Sequence, residues 1–567
     1  MIKVFFRSRQ NHKKLDELGP DEYRIELRSN TWDDYQFKTT FNVELHGHGF
    51  QREFDQVKIL FDKDKISAKY LVELIDGGWD GYFPLQGGNY ISNPTQVTFY
   101  EEMISVVGIE DAAEVARVLG DASYHIMLLE DEAALHLSKI DGFRTSLQRE
   151  RSEQIAFAQG WKAFREIAIS IEDIEFEFLD RENTAHAVTL RYSEENSVLP
   201  RDINLLIGPN GAGKSEFLRQ MVEDWLESPI SSKKGFSGPP GFTRLIAVSY
   251  SPFERLRIDI AELDRIDLDA YTYFGLRGRT SPGPPRENLS LEHAKQASVS
   301  SLISCIADDR RFGAIKAWSQ KIKILNSVLG HAIDFDFLAM EVPSSMIGGA
   351  FLTEEALYPV DPMVRDEKGK KLLVRIDEET SPVLSTVALE KHVRRAEGVT
   401  FFKDGVPVSM SSGQRLFSYI VINILGAIRR NSLIIIDEPE LFLHPSLEVS
   451  LISMLKAILD NYSCKALIAT HSALITREVP RDCVHVFHWA EDGLQIHHPP
   501  FQTFGADVQR ISSYVFRDNA TPKPFERWIA TKSKEMGGKD QLLAALSPHD
   551  LNEELTIELM AGGEQFE

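Results

Sequence analysis

The chain has 567 residues, 43% hydrophobic and 26% charged, which is the balance of a soluble globular protein and excludes a wholly disordered or fibrous one. Its formal net charge is −22, so no general positive field draws nucleic-acid phosphates in from a distance, and such binding needs a local basic groove. Cys305, Cys464 and Cys483 lie far apart without a CxxC spacing, which argues against a disulfide framework or zinc knuckle and fits a reducing cytoplasm.

Taken in chain order, residues 1–165 read as an N-terminal module. Runs such as TTFNVELHGHGF and QVKILF, rich in aromatic and β-branched residues, suggest short strands to about residue 100; apolar spacings of three and four then suggest helices to 165. No secretion signal is visible at the N-terminus. The apolar run SYIVINILGAI at 418–428 falls short of the ~20 residues that cross a bilayer, so no membrane span is expected.

From 166 to 257 the pattern is strand-like runs, then the apolar strand INLLI, a glycine loop and the amphipathic helix EFLRQMVEDWL. Residues 258–399 break this order and read as a mainly helical insertion. Strands and helices alternate again over 400–515, which argues for a mainly parallel sheet covered on both faces, and 516–567 form a tail. The expected fold is α/β: a P-loop head with a mainly parallel sheet and an antiparallel β-subdomain, a helical insertion and an N-terminal β-rich or α+β module.

The loop Gly208-Pro209-Asn210-Gly211-Ala212-Gly213-Lys214-Ser215 meets the pattern GxxxxGK[ST] between a strand and a helix. Its glycines allow consecutive backbone N–H groups to turn inward on a phosphate at a helix N-terminus. Lys214 would reach the β- and γ-phosphates of ATP, Ser215 would ligate Mg²⁺, and Glu216, next in the chain, is counted with Gly208 to Ser215 among the nucleotide-binding residues. At 433–438, LIIIDE ends an apolar strand in two carboxylates: Asp437 would hold Mg²⁺ through water, and Glu438 would address the attacking water. Ser411-Ser412-Gly413-Gln414 opens a helix between these motifs. A serine there is more often a plain N-cap, but free N–H groups and hydroxyls also suit a second phosphate contact. Thr470-His471-Ser472 closes a later strand, where the histidine can touch a γ-phosphate and place the water.

Together these motifs resemble the ABC ATPase superfamily, more narrowly the soluble branch containing SMC, RecF and OLD-family proteins, over roughly 166–257 and 400–515. The sequence DEPELFLHPS at 437–446, with Glu440 and His444-Pro445, is closer to the RecF and OLD-like group than to transporter subunits. The resemblance implies an Mg-dependent ATPase whose heads pair head to tail as a homodimer or higher oligomer, Ser411, Ser412, Gly413 and Gln414 contacting ATP held by the other copy. The insertion is too short for the long coiled coil of SMC proteins. A glutamate and DxD nuclease constellation of the OLD kind is not seen, and DFDF at 334–337 reads as the edge of an element. An OLD/RecF-like ATPase without its own nuclease resembles the ATPase subunits of antiphage systems such as Septu, PARIS and certain retrons, which implies antiviral defence and a separate effector, a nuclease or toxin. A repair or recombination ATPase clamping DNA is the alternative, with Arg277, Arg279, Arg310 and Arg311 as a possible basic groove. The position where many ABC proteins carry a Mg-sensing glutamine reads SYSPFERL here, leaving Ser249 and Ser251 unassigned.

Overall fold

The computed structural model describes residues 2–8, 18–19, 22–30, 36–62, 64–167, 169–193, 197–226, 235–238, 240–258, 270–279, 287–313, 320–346, 348–353, 362–366, 369–516, 524–546, 556 and 559. The middle of the breaker-rich stretch at 275–290 and much of the tail expected at 516–567 lie outside them. The chain divides into two compact units, Met1–Gly505 and Ala506–Glu567.

The first unit begins with a five-stranded sheet of β1 (Ile2–Arg7), β2 (Tyr23–Ser29), β3 (Thr40–Gly47), β4 (Phe50–Phe61) and β5 (Tyr90–Pro94), neighbours in that order. The β1–β2 pair is parallel and the others antiparallel. Ile25 and Leu27 on β2 are fully buried, and Glu26 between them, on the opposite face, is buried as well, paired with Arg7 and Arg24. The helices Thr98–Val107 and Ile109–Leu119 add Phe99, Tyr100, Met103 and Val115 to the same core.

The hairpin of β6 (Ile174–Leu179) and β7 (Ala185–Leu190) leads to β8 (Ile203–Ile207), whose five residues are all buried. The helix Lys214–Leu226 follows, then β9 (Arg244–Ser249) and β10 (Tyr271–Gly275). Next come the pair β11 (Arg277–Arg279) and β12 (Glu287–Leu289), the long helix Leu291–Phe312 and the helix Lys321–Leu329. Strands β13 (Phe337–Val342), β14 (Met363–Arg365), β15 (Leu372–Ile376), β16 (Val399–Lys403) and β17 (Val406–Pro407) form an antiparallel sheet in the order β14-β15-β13-β16-β17. The stretch 258–399, expected to be mainly helical, thus holds three long or medium helices' worth of cover and also strands β10 to β15. The cause is that FLAMEV in β13 is buried at every position, so it shows no period that separates strand from helix. The DFDF turn leads into β13, where the Asp336 carboxylate accepts from the Asp404 backbone N–H and from Lys403.

The chain then returns through the helix Ser412–Ala427, β18 (Ser432–Asp437), the helix Pro445–Tyr462, β19 (Lys465–Thr470), β20 (Val484–Ala490) and β21 (Gly493–His497). The resulting seven-stranded sheet has the order β10-β9-β18-β19-β8-β20-β21, parallel but for the β20–β21 edge. This is the α/β head. Its buried face packs Leu206, Ile435 and Leu467 against Phe217, Met221 and the hairpin's Phe176 and Phe178. In the second unit, Ile529, Leu542 and Leu559 make a small core of their own. Among the described residues no helix is long and apolar enough to cross a membrane.

The 258–399 segment grips the helix Ser412–Ala427 at both ends. At its start the Gln414 amide donates to the Ala332 carbonyl over 3.0 Å. At its end the fully buried Lys321 ammonium donates to the carbonyls of Leu425 (2.6 Å) and Ile428 (2.8 Å), with the Asp308 carboxylate 2.7 Å away as counter-charge. Those carbonyls have no partner inside the helix, so the lysine serves as its C-terminal cap.

Candidate functional site

Three neighbouring parallel strands end together. β8 feeds the glycine loop, β18 ends at Asp437 and β19 ends at Thr470, and β19 runs between the other two. This places the loop, the acids and His471 at one edge, although 222 residues separate Ser215 from Asp437.

The loop conformation rests on Gly208. Its φ is +154°, and a Cβ there would lie 2.2 Å from the Phe487 carbonyl oxygen of β20, so only glycine lets the chain leave β8 this close to its neighbour. The helix that follows starts at Lys214. With its aliphatic stem buried, the Lys214 ammonium donates to the carbonyls of Gly208 (2.9 Å) and Pro209 (3.2 Å) and lies 3.0 Å from His471 Nε2. Burial pulls its pKa down to about 8, against the pull of Glu438, Asp437 and Glu440 in the other direction.

The Ser215 hydroxyl donates to Asp437 Oδ1 over 3.0 Å. Asp437, 2% exposed, has its pKa raised to about 7, chiefly by burial and further by the charge of Glu438, while the Ser215 hydrogen bond opposes the shift. Two hard oxygen donors side by side, one of them a desolvated carboxylate, fit Mg²⁺, which takes oxygen ligands. Glu438 sits at φ +50°, a left-handed conformation uncommon for a residue with a side chain, and its backbone N–H is held by the Ala469 carbonyl at 2.8 Å. Its carboxylate is half-buried, 3.5 Å from His471 Nε2, and hydrogen bonds from His471 and Ser251 hold its pKa below the usual value.

Glu440 and Glu448 place the histidine. Glu440 accepts from the Thr470 hydroxyl at 2.9 Å and from the His471 backbone N–H; burial raises its pKa. The Ser472 hydroxyl donates to Glu448 and accepts from the Ile475 N–H, capping the short helix after His471.

Lys214, Ser215, Asp437, Glu438 and His471 are therefore gathered at one sheet edge, joined as the pairs Lys214–His471, His471–Glu438 and Ser215–Asp437. Gly208 to Gly213 wrap the ammonium. Glu216 is turned elsewhere: its carboxylate takes a two-pronged hydrogen bond from Arg219 and another from Gln220 on its own helix. The four residues Ser411 to Gln414 open the helix Ser412–Ala427 in a capping box, Ser411 Oγ accepting from the Gln414 N–H at 3.2 Å and the Gln414 side chain accepting from the Ser411 N–H at 3.1 Å. Ser411 and Ser412 are exposed, and Gly413 lies against the Phe442 carbonyl, where a Cβ would be 3.2 Å away.

Sequence reasoning left two contributors without a role. Ser251 puts a hydroxyl on Glu438, and Ser249 faces Asp437 across the β9–β18 register, but a serine carries no motif of its own. Glu440 stood out only as part of a resemblance; the one available signal was a second acid two residues past the acidic pair.

The family model described as AAA ATPase domain matches residues 367–476. Protein ea59 of Escherichia phage lambda is 25% identical over 508 residues, covering 86% of this chain and 85% of that protein. Among solved structures, the SMC head domain from Thermotoga maritima aligns with 59% of this chain and 100% of its own at 10% identity and a TM-score of 0.27. An ATP-binding cassette of an ABC transporter, in its ADP conformation, aligns with 60% and 95% at 10% identity and a TM-score of 0.27. The matched segment, which holds β18, β19 and the acidic pair, is similar to an AAA ATPase domain, and the first unit has the α/β head described above.

Proposed function

We propose that the chain binds ATP with Mg²⁺ on the glycine loop and hydrolyses it at an interface between two copies. The carrying observation is the meeting of Lys214, Ser215, Asp437, Glu438 and His471 at the ends of three adjacent parallel strands. Backbone N–H groups of 208–213 cradle the β-phosphate and Lys214 spans the β- and γ-phosphates; Ser215 and Asp437 would hold Mg²⁺, which when bound would supply charge neutralisation at the phosphoryl oxygens. Glu438, kept ionised by its hydrogen bonds, accepts a proton from the attacking water, and His471 orients that water on the γ-phosphate.

Ser411 and Ser412 are exposed, and the capping box joins Ser411 to Gln414, leaving the serine faces and the first N–H groups of the helix, Gly413 among them, for the γ-phosphate of a second copy. ATP then joins two heads and hydrolysis releases them. In the finer reading the joined state controls a separate effector, a nuclease or toxin, in an antiphage system. Support for that step is analogy, from the DEPELFLHPS pattern and an ATPase whose sequence shows no nuclease constellation of its own.

Glu438→Gln tests the chemistry: hydrolysis should fall at least 100-fold while ATP binding stays within a factor of about three, since only the proton acceptor is removed. A wild type no faster than the variant would sink the enzymatic reading. Phage plating on cells carrying the gene with its neighbours, beside the same cells with Lys214→Ala, tests the role in defence; equal plating on both sinks it.

A further inference from the structure

A second large concavity lies within the first unit, away from the glycine loop. It is a half-open cleft of about 980 Å³, lined by the N-terminal sheet at β2 and β4, by the end of the long helix Leu291–Phe312 and by the residues just past the helix Ser412–Ala427. That volume is at the upper end of the range that holds small ligands.

Six arginines line it, Arg52, Arg244, Arg310, Arg311, Arg429 and Arg430, in a chain whose net charge is −22. Four carboxylates share the walls, Glu53, Asp55, Glu101 and Glu102. Two of them are spent on ion pairs that cross the cleft, Arg311–Asp55 at 2.9 Å and Arg430–Glu101 at 2.8 Å. Arg52 reaches the Arg311 carbonyl through Nη2 at 2.6 Å, but its buried Nε has no hydrogen-bond partner. Glu102 is fully buried, and neither of its carboxyl oxygens has a partner either. Burial first, and then the nearby Asp55, lift its pKa to about 8, so near neutrality it is largely uncharged and the arginines dominate the walls.

Aromatic rings complete the set. Arg52 lies over Phe54 (5.8 Å) and Arg311 over Phe312 (4.8 Å). Tyr23 and Phe50 pair edge to face at 6.2 Å, and Phe50 keeps 42% of its surface open to solvent. Guanidinium groups bind phosphate, aromatic faces stack on bases, and a buried carboxyl with both oxygens unused answers the N–H donors on a base edge. An orphaned buried carboxyl costs free energy until a ligand satisfies it.

We propose that this cleft binds a phosphorylated nucleobase, with the base stacked on the Tyr23–Phe50 pair, a base N–H on Glu102 and the phosphates among the arginines. The source is either a free nucleotide or the unpaired end of a nucleic-acid strand, which share this chemistry. A duplex is disfavoured, because its bases are already stacked and its edges paired.

Fluorescence anisotropy on the full chain with a labelled single-stranded 12-mer, and with the same sequence as a duplex, separates these sources. Titration calorimetry with GMP and AMP reports free nucleotides; monophosphates lack the β-phosphate that the glycine loop grips. The 12-mer, the monophosphates or both should bind, with Arg52→Ala and Phe50→Ala each weakening the binding at least fivefold. Binding of the 12-mer should weaken further with added salt. Phe50 is partly exposed, so Phe50→Ala keeps the fold and decides the matter should Arg52→Ala fail to fold. Binding by the 12-mer assigns the site to strand ends, and binding by monophosphates alone assigns it to free nucleotides. Binding of the duplex alone, of none of these probes, or binding indifferent to the cleft substitutions overturns the proposal.

Discussion

The carboxyl group of Asp437 is buried, and that has a consequence for stability. Its pKa rises from 3.8 in the unfolded chain to about 7 in the folded one, so between these values the folded state holds a proton that the unfolded state has released. The contribution to folding is full below about pH 4 and is lost as the pH climbs through 7. Above that, the ionised carboxylate destabilises the nucleotide-free protein by a few kcal/mol. Asp437→Asn keeps an acceptor for Ser215 and removes the charge. Thermal melts of the nucleotide-free variant should therefore lie above the wild type at pH 8, with the gap closing towards pH 5; a gap that is the same at both values contradicts this account. Glu440 acts at one remove. Glu440→Ala takes the acceptor from the Thr470 O–H, whose oxygen still accepts from the Ser472 N–H, and from the His471 N–H, at a cost of roughly 1–3 kcal/mol, and loosens the histidine. Hydrolysis should fall about 10- to 100-fold with ATP affinity nearly unchanged, and Glu440→Gln, whose one amide oxygen can still accept from the His471 N–H while its NH₂ turns to the Thr470 oxygen, should recover part of the loss. At this scale Gly208 to Ser215, Asp437, Glu438 and His471 were legible because each is tied to a fixed pattern at a strand end. Glu216 misled because its place beside the loop says nothing of Arg219 one turn on. Ser251 was hidden because its partner lies 187 residues away in the sequence.

Among elements, the strands and helices around the motifs could be read from sequence with small errors at their ends. SLIIID and KALIAT are short, with continuous apolar centres and polar residues at both ends, which fits parallel strands covered on both faces. What could not be read was pairing at a distance. β13 pairs β15 on one side and β16 on the other, across loops of 30 residues or more, and nothing local in FLAMEV or VTFFK names those partners. The grip of Lys321 on the helix Ser412–Ala427 is of the same kind, since a lysine in KIKIL looks like a solvated face until the helix end arrives above it. Lys321→Met strips the Leu425 carbonyl of its side-chain donor and leaves both the Ile428 carbonyl and Asp308 to Arg429. It should destabilise the first unit by about 3–5 kcal/mol, visible as a lower urea midpoint with an unchanged slope. A loss under about 1 kcal/mol would show that the cap is dispensable.

For the molecule as a whole, the issue is whether one chain holds a complete site. A mixing experiment answers it. Lys214→Ala disables the loop, and Ser412→Glu sets a negative charge where a γ-phosphate would approach, while an acid at a helix N-terminus leaves the helix itself stable. Each variant alone should hydrolyse ATP at least 100-fold more slowly than wild type. In an equal mixture, half of the dimers are mixed, and each mixed dimer has one site with both halves intact, so activity should return to as much as about one quarter of wild type. If mixing restores nothing, the sites are not shared head to tail.

The place of β19 between β8 and β18 also fixes how the site can be tuned. Because ladder hydrogen bonds hold it on both sides, His471 stands one strand spacing, about 4.8 Å, from the loop strand and one from the acid strand. The sheet is thus a ruler for the reacting groups, and no single side chain sets their separation. Divergence in the loops can then alter what triggers the reaction or what responds to it, while the gauge of the chemistry stays the same.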